Sequence, residues 1–505
     1  MKRFALISVS DKTAIVEFAR ELNSLDYQII ATGNTFKLLQ SNQINCIEIK
    51  DFTGFPEIFD GRVKTIHPKI FGGILMRTDN DSDIKQAEQN DIYPIDVICV
   101  NLYPFPQVVN RNDISLEDKI ENIDIGGPSL IRASAKNYER VSVLINSSQY
   151  SEFLSEIKKG KVSVETRKKL AYAAFSYTSY YDTLIANYFE KEFNQPKAAI
   201  RLNYKSSFGL RYGENPHQRA YLFGEFENYF NILHGKELSY NNIVDLTAAY
   251  ELVNDLDSCA CAVIKHTNPC GAAIGKNVLD AYERALSCDP VSAFGGIVAF
   301  NKEVDENTAE KLNELFLEIV IAPSYSEKAI EQLKTKKNRR VISVNKNQFD
   351  NSLQIKSIPG GLLVQEKDNS KLSNDSLKLV TTKKYSDKEL KDLKFAWTVC
   401  KHTKSNAIVY VKDEMTIGIG AGQMSRIDST KIASSKAKQF GHDLNGAVAA
   451  SDAFFPFADG LLEIISNGIT SIIQPGGSVR DDEVIDAANG KNISMVFTGI
   501  RNFKH

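Results

Sequence analysis

A lysine and a histidine stand side by side after an apolar run near the middle of the chain. The run Cys259–Ile264 is typical of a short buried strand, and Lys265 and His266 follow it directly. Such a pair can move protons in both directions near neutral pH, because histidine titrates there and burial lowers the pKa of a lysine. The segment 268–271, Asn-Pro-Cys-Gly, predicts a tight turn after the pair. Proton transfer at the end of a strand is the functional interpretation, and a solvated pair at the start of a loop is the alternative.

The Lys-His-Thr motif occurs a second time. Lys401-His402-Thr403 lies 136 residues after the first copy, again after an apolar run and before an asparagine, Asn406. Two further segments repeat in the same order, 289–295 as 451–457 and 319–323 as 471–475. Three landmarks in matching order predict a duplicated α/β unit with a site between its copies.

Composition excludes several classes of protein. A chain of 505 residues is too long for one core and predicts two to four domains. The net charge of −2 gives no basic surface for nucleic acid, and no apolar run approaches the ~18 residues that cross a bilayer. The seven cysteines form no Cys-x-x-Cys pair, which argues against zinc and favours a reducing, cytoplasmic compartment.

Strand and helix patterns alternate over residues 1 to about 150. Apolar runs predict strands at Phe4–Val9, Tyr27–Ala31, Ile44–Ile49 and Val97–Val100, with a helical stripe starting at Ile15. This order predicts a parallel sheet whose ligands bind at the carboxyl ends of its strands. The polar turns 8–12 and 32–35 follow the first two strands, where hydroxyl and glycine residues before a helix favour a phosphate. Ordinary helix caps are the alternative.

Basic residues also cluster in a loop and on a predicted helix. The loop 61–69 carries Arg62 and Lys64, and Arg132 and Lys136 lie four apart on one helical face. A solvated surface explains either cluster equally well. Residues 150–200 look helical and amphipathic, and the composition changes near residue 200.

Eight motifs together resemble the bifunctional purine-biosynthesis family that combines AICAR formyltransferase with IMP cyclohydrolase. They lie at 8–13, 61–68, 101–105, 124–127, 210–218, 265–271, 451–457 and 498–505. The resemblance implies an α/β fold, with an N-terminal methylglyoxal-synthase-like parallel-sheet domain and a C-terminal tandem duplication of cytidine-deaminase-like units. The expected domains are the cyclohydrolase at 1–150, a helical linker at 151–200, and the two transformylase units at 201–380 and 381–505.

The transformylase must make a poor aromatic amine attack the formyl group of 10-formyltetrahydrofolate. His266 is the predicted general base, Lys265 the proton donor, and Asn406 the group that orients the formyl oxygen. The resemblance implies AICAR contacts from Arg211, Tyr212, Asn242, Gly295, Glu318 and Arg501. It implies folate contacts from Asn406, Arg426, Phe454, Asp459, Ser478 and Val479.

The cyclohydrolase closes the product onto itself with loss of water. Lys136 is the predicted proton shuttle, and Lys64, Tyr103 and Asp124 are predicted to polarise and orient the substrate. The other expected ligands of IMP or formyl-AICAR are Ser10, Asp11, Lys12, Thr32, Gly33, Asn34, Thr35, Arg62, Val63, Thr65, Asn101 and Ile125.

The resemblance further implies no bound cofactor, no zinc and no metal-ligating residue, with 10-formyltetrahydrofolate as cosubstrate. The expected partners are small-molecule substrates and a second copy of the chain, with transformylase sites at the subunit interface and neither nucleic acid nor membrane. A regulatory nucleotide-binding protein and a zinc-free deaminase are the alternatives. Binding alone gives no reason for a proton-transfer pair, so Lys265 and His266 argue for an enzyme.

Overall fold

The computed structural model describes residues 3–109, 111, 113–196, 199–204, 206–345 and 353–505. The chain forms two compact units, Met1–Asn203 (unit 1) and Tyr204–His505 (unit 2). Each unit has its own main sheet and its own hydrophobic clusters.

Unit 1 is a five-stranded parallel sheet with the order β3-β2-β1-β4-β5. Its strands are β1 Arg3–Ser8, β2 Tyr27–Ala31, β3 Cys46–Glu48, β4 Ile95–Val100 and β5 Ser142–Leu144. Its helices are α1 Ile15–Ser24, α2 Gly33–Ser41, α3 Ile49–Thr53, α4 Pro68–Leu75, α5 Asp81–Gln89, α6 Phe105–Val109, α7 Leu116–Glu121, α8 Gly126–Lys136, α9 Tyr150–Ile157 and α10 Val164–Glu192. The predicted parallel sheet is confirmed, and β3 is shorter than predicted because Ile49 already begins α3.

Both faces of this sheet are covered, because alternate residues of β1 enter different cores. Phe4 and Leu6 belong to one cluster, and Ala5 and Ile7 belong to the other. Leu170, Ala174 and Tyr181 of α10 lie in the same cluster as Leu6. The helical stretch that the sequence predicts as a linker at 151–200 therefore contributes to the core of unit 1.

Unit 2 is built on one twelve-stranded sheet with the order β16-β21-β20-β19-β17-β18-β10-β9-β11-β12-β13-β8. Its strands, with two separate hairpins β6–β7 and β14–β15, are β6 Ser206–Leu210, β7 Ala220–Phe223, β8 Phe230–His234, β9 Ala260–Lys265, β10 Asn268–Ile274, β11 Ile297–Phe300, β12 Ile319–Ala322, β13 Arg340–Val344, β14 Leu353–Ile358, β15 Gly361–Glu366, β16 Lys378–Leu379, β17 Ile408–Lys412, β18 Met415–Gly420, β19 Val448–Ser451, β20 Ser471–Gln474 and β21 Ser494–Phe497. Its helices are α11 Tyr240–Asn254, α12 Val278–Ser287, α13 Glu306–Asn313, α14 Glu327–Lys334, α15 Asp387–Lys401, α16 Arg426–Gln439, α17 Ala458–Ser466 and α18 Asp481–Gly490.

The element order of unit 2 repeats. The run α11-β9-β10-α12-β11-α13-β12-α14-β13 is followed by α15-β17-β18-α16-β19-α17-β20-α18-β21. The strand order outward from the centre repeats too, and β10 meets β18 in antiparallel fashion where the halves join. The likeness of each half to a cytidine deaminase stays a prediction.

The structure corrects the landmarks from which the repeat was predicted. Lys265 ends β9, whereas Lys401 ends helix α15, so the two Lys-His-Thr copies occupy different positions in the repeat. The segment 289–295 precedes β11, whereas 451–457 begins at the last residue of β19. Only β12 and β20, from the third pair of landmarks, correspond. Asn268-Pro-Cys-Gly forms the start of β10, and the predicted tight turn lies earlier, at His266 and Thr267.

Candidate active sites

A cavity of about 730 Å³ opens at the carboxyl ends of the unit 1 strands. The loops after β1, β2 and β4 all reach it, as expected for parallel strands that end at one edge. The predicted residues that line it are Ser10, Lys12, Thr32, Gly33, Asn34, Thr35, Arg62, Lys64, Thr65, Asn101, Tyr103, Asp124 and Ile125.

Asn101 fixes the loop that follows β1. Its Oδ1 accepts the backbone N–H groups of Ser10 (2.5 Å) and Asp11 (2.9 Å), and its Nδ2 donates to the Asp11 carbonyl (3.0 Å). The side chain of Asp11 turns to Thr13, whose backbone N–H and hydroxyl it accepts, and Asp11 does not line the cavity. Asp11 thus shapes the loop, whereas Ser10 faces the cavity.

The first turn of α2 provides an anion-binding end. Gly33 and Asn34 line the cavity, and the N-cap residue Thr32 makes no capping hydrogen bond with its side chain. The Thr32 hydroxyl pairs with Ser8 Oγ instead (2.8 Å). The free N–H groups at the helix start are therefore available to a phosphate.

Three cations line the same cavity. Lys12 donates through Nζ to Thr35 Oγ1 (2.8 Å) and to the Val9 carbonyl. Burial lowers the pKa of Lys12, and the nearby charge of Lys64 lowers that pKa further. Arg62 Nε donates to Glu121 Oε2 (3.2 Å), so an acidic side chain competes with any bound anion for this arginine.

Asp124 is a half-buried carboxyl group that lines the cavity. Burial raises its pKa, against the opposing effects of the Gly127 N–H at 2.7 Å from Oδ1 and of the charge of Lys64. A Cβ on Gly127 would lie 2.5 Å from Asp124 Oδ2, and one on Gly126 would lie 2.6 Å from Thr65 Oγ1. The two glycines therefore let α8 begin against the cavity wall. Asp124 is suited to exchanging a proton closer to neutral pH than an ordinary carboxyl group.

Lys136 and Val63 are predicted site residues that do not line this cavity. Lys136 is the last residue of α8, whose first residues Gly126 and Gly127 line the cavity, so about 15 Å of helix lies between them. Lys136 lines a second cavity of about 810 Å³ with Arg132, Lys168, Tyr172 and others. One chain alone does not bring Lys136 to Asp124.

Several residues that line the cavity were not predicted from the sequence. They include Glu121, Ile123, Ile185 and Phe189. The last two belong to α10, far along the chain, and no local motif marks them.

In unit 2, Lys265 and His266 sit where β9 turns into β10. Lys265 Nζ donates to the Phe294 carbonyl (2.7 Å), which brings the predicted base-binding residue Gly295 beside the ammonium group. His266 is exposed at the first position of the turn. Asn268 Oδ1 accepts the N–H of Lys404 (2.9 Å), so the segment that leads to Asn406 lies against the same turn.

Asn406 is held in place by a buried ion pair. Its Oδ1 accepts from Arg426 (3.0 Å), and the same guanidinium group donates to Asp452 Oδ1 (2.7 Å) and to the Phe454 carbonyl (3.2 Å). Asp452 has a fully buried side chain, and Arg426 is nearly buried. Arg426 thus supports Asn406 and Phe454, the predicted formyl-orienting and folate-binding residues.

The other predicted transformylase residues have varied surroundings. Glu318 pairs with the buried Arg340, and Asn242 completes the capping box of α11. Asn241 donates to the Glu214 carbonyl (3.2 Å), which joins segment 210–218 to the start of α11. Asp459 accepts the Gly460 N–H (2.7 Å), Ser478 accepts the Arg480 N–H (3.1 Å), and Val479 is fully exposed. The guanidinium groups of Arg211 and Arg501 lie over the rings of Tyr212 (5.3 Å) and Phe503 (4.5 Å).

The second Lys-His pair is buried and paired with an acid. Lys401 Nζ and His402 Nε2 both contact Asp255 Oδ2, at 2.9 Å and 2.8 Å. Burial opposes ionisation of Asp255, yet the hydrogen bonds from His402 and Lys401 hold its pKa well below the usual range. Burial lowers the pKa of His402, so Lys401 supplies the charge that balances Asp255 at neutral pH. This copy of the motif is built into the interior.

Two features are absent from the described part of the chain. No helix there is both long and apolar enough to span a membrane. No group of three or more His, Cys, Asp and Glu side chains there could hold a metal ion.

Comparisons with known proteins cover the whole chain. Residues 134–436 match the family model of the AICARFT/IMPCHase bienzyme, and residues 14–129 match the MGS-like domain. The chain is 50% identical to the bifunctional purine biosynthesis protein PurH of Thermoanaerobacter sp. over 512 residues, which cover 100% of both chains. It is 50% identical over 520 residues to the PurH protein of Caldicellulosiruptor saccharolyticus, again over 100% of both chains. It is 49% identical over 514 residues to that of Bacillus cereus strain B4264, with the same full coverage.

Proposed function

Since the chain belongs to the AICARFT/IMPCHase bienzyme family, we propose that unit 1 carries its cyclohydrolase site and unit 2 its transformylase site. The protein is a bifunctional enzyme of purine biosynthesis that formylates AICAR and cyclises the product to IMP. The observation that carries the assignment of unit 1 is the cavity that combines a helix start, three cations and a half-buried carboxyl group.

In unit 1, the phosphate of formyl-AICAR binds at the start of α2, where Lys12 and Arg62 supply positive charge. Ring closure joins the carboxamide nitrogen to the formyl carbon, and the former formyl oxygen leaves as water. Asp124 takes a proton from the attacking nitrogen and gives it to the former formyl oxygen. The second proton of the departing water comes from the nitrogen that carried the formyl group. Lys64 stabilises the charge that develops on the former formyl oxygen.

Two observations support Asp124 in this role. Its carboxyl group lies in the cavity, and burial raises its pKa towards the range where it both accepts and donates protons. Lys136 remains the proton shuttle predicted from the sequence. Its position beside the second cavity gives less support to that prediction than Asp124 has.

In unit 2, His266 takes a proton from the AICAR amine as its nitrogen attacks the formyl carbon. Lys265 gives a proton to the folate nitrogen that leaves, so that tetrahydrofolate departs neutral. The hydrogen bond from Lys265 to the Phe294 carbonyl and the contact between Asn268 and Lys404 support a shared location for the pair and Asn406. Asn406 orients the formyl oxygen, and Arg426 and Asp452 hold Asn406.

The formyl group comes from a formyl-folate cosubstrate, and both steps use only protons and hydrogen bonds. We further infer that the enzyme needs no metal ion or bound cofactor, that it acts in the cytoplasm, and that it works as a homodimer with transformylase sites at the subunit interface. Dialysis against a chelator should leave both rates unchanged, and light scattering should give twice the mass of one chain. Metal-dependent turnover or a fully active monomer would contradict these points.

The experiment that tests the function mixes the protein with AICAR and 10-formyltetrahydrofolate. Production of tetrahydrofolate and IMP is expected. AICAR binding without turnover would indicate a regulatory protein, and release of ammonia from AICAR would indicate a deaminase. Supplying formyl-AICAR alone isolates cyclisation from formyl transfer.

A further inference from the structure

The turn that carries His266 has an unusual backbone. His266 and Thr267 both have positive φ, 52° and 62°, and they are the two central residues between the paired Lys265 and Asn268. This is the arrangement of a type I′ hairpin turn, which normally holds Asn-Gly. A β-branched threonine with positive φ is a clear outlier, and such outliers persist only where the surroundings hold them.

Asp245 of helix α11 holds this turn. Its Oδ1 accepts the N–H of Thr267 at 2.7 Å, and its Oδ2 accepts the N–H of His266 at 3.3 Å. Both N–H groups of the turn therefore end on one carboxylate. A carboxylate can accept both, whereas an asparagine has only one accepting atom at the end of its side chain.

The other half of unit 2 repeats this arrangement. Asp392 of α15 accepts the N–H of Asp413 at 3.1 Å and that of Glu414 at 2.6 Å, and these two residues also have positive φ, 58° and 53°. The separations along the chain are identical in the two halves, 21 and 22 residues. Each aspartate lies at the same position of a 15-residue helix that begins with a serine capping box.

The second copy shows the same carboxylate at a turn that carries no Lys-His pair. Asp413 at that turn forms an ion pair with Lys388 (2.5 Å) and accepts a hydrogen bond from Arg284 through its carbonyl group. That turn is thus held by structural contacts besides those of Asp392, although Asp413 itself is exposed. In the first copy, the equivalent carboxylate of Asp245 holds the turn that presents the exposed His266 beside Lys265.

We propose that Asp245 is a positioning residue of the transformylase site: it fixes the His266–Thr267 turn so that the imidazole is presented to the substrate. This assignment rests on the proposed function, in which His266 is the general base. Asp245 acts through the backbone of the turn and does not exchange protons with the substrate.

The test uses the full chain, with formyl transfer and cyclisation of supplied formyl-AICAR measured on each variant. Asp245→Asn should lower the kcat of formyl transfer about a hundredfold, the cost of misplacing a catalytic group by about 1 Å. The KM for AICAR should change little and cyclisation should be unaffected. Asp392→Asn, the matched control in the other half, should lower the melting temperature and keep kcat.

A rescue distinguishes positioning from any other role of the carboxylate. Thr267→Gly introduces the residue that a type I′ turn prefers, so the double variant Asp245→Asn/Thr267→Gly should recover at least tenfold in kcat over Asp245→Asn. Thr267→Gly alone should fold and turn over like the wild type. Asp245→Asn alone could fail to fold. The double variant should then still fold, and a kcat within tenfold of the wild type would support the positioning role.

Three results would overturn the proposal: an unchanged kcat in Asp245→Asn, a loss that Thr267→Gly does not restore, or an equal loss in Asp392→Asn. If His266 is not the general base, His266→Ala should keep full formyl transfer. This result distinguishes failure of the proposed function from failure of the role proposed for Asp245. Asp245→Asn could lose activity that Thr267→Gly restores while His266→Ala stays active. In that case Asp245 holds the turn, but His266 is not the residue that the turn presents for catalysis.

Discussion

Asp255 and His402 are the C-cap residues of the corresponding helices α11 and α15, and they contact each other at 2.8 Å. They lie 147 residues apart, and so do Asp289 and Lys436, which also contact each other at 2.6 Å. Equivalent positions of two repeated halves meet only where the axis that relates the halves passes between them. The contact between Asp255 and His402 therefore lies at the axis between the halves, and the ion pair between Asp289 and Lys436 also joins them.

The first prediction concerns the response of this join to acid. Burial keeps the pKa of His402 below its usual value of about 6.5, so the unfolded chain binds a proton there that the folded chain does not. The free energy of unfolding of unit 2 should therefore be fully present above pH 6.5 and fall as the pH drops below it. The slope from this residue is at most about 1.4 kcal/mol per pH unit.

Chemical denaturation between pH 7.5 and 5 measures this slope. His402→Gln should be less stable at neutral pH and should lose the contribution of His402 to the slope. Asp255, whose pKa lies below its usual value, contributes only at lower pH, below about 4. An identical slope in wild type and His402→Gln would contradict the prediction.

The second prediction concerns proton transfer in unit 1. Asp124→Asn should lower the rate of cyclisation of supplied formyl-AICAR by about 10²–10⁴-fold, the usual contribution of a positioned acid or base, and leave formyl transfer intact. Because burial raises the pKa of Asp124, the acid limb of cyclisation in the wild type should lie above the ordinary carboxyl range near 4. Asp118→Asn, at an exposed helix cap of the same unit, serves as the control. A variant of Asp124 with normal cyclisation would remove it from the mechanism.

The third prediction concerns the competition for Arg62. The carboxylate of Glu121 holds this arginine at the cavity, so Glu121→Gln should free it for a phosphate. Exposed ion pairs are worth up to about 1 kcal/mol, which corresponds to binding of IMP that is about two- to fivefold tighter. The gain should disappear in high salt. Calorimetric titration of IMP into both proteins measures the difference, and weaker binding by Glu121→Gln would contradict it.

The sequence predicted the cavity of unit 1 well because hydropathy marks strand ends and parallel strands end at one edge. The sequence alone therefore predicts that three segments lie close together, namely the turns at 8–12 and 32–35 and the segment at Asn101. Lys136 shows the limit of this reasoning. Its motif predicts a helix correctly, but the direction of α8 carries the residue away from the cavity that the helix start lines.

Two of the three landmarks that predict the repeat in unit 2 do not occupy corresponding positions in the structure. The Lys-His-Thr copies are 136 residues apart, whereas the equivalent positions around them are 147 residues apart. The two Lys-His-Thr motifs indicated a repeat spacing of 136 residues, which differs from the spacing of equivalent positions in the structure. The true repeat is preserved in the serine caps and in Asp245 and Asp392, whose equivalence depends on hydrogen bonds to a distant turn. A single sequence does not reveal contacts of that kind.

The fourth prediction, that formyl transfer depends on His266 and cyclisation does not, is tested most directly by His266→Ala in the full chain. The variant should convert supplied formyl-AICAR to IMP at the wild-type rate. From AICAR and 10-formyltetrahydrofolate, it should make IMP about 10²–10⁴-fold more slowly than the wild type. His402→Ala, whose side chain is buried against Asp255, should lose stability and keep most of both activities. Normal IMP production from AICAR by folded His266→Ala, or a parallel loss of both activities, would contradict the account.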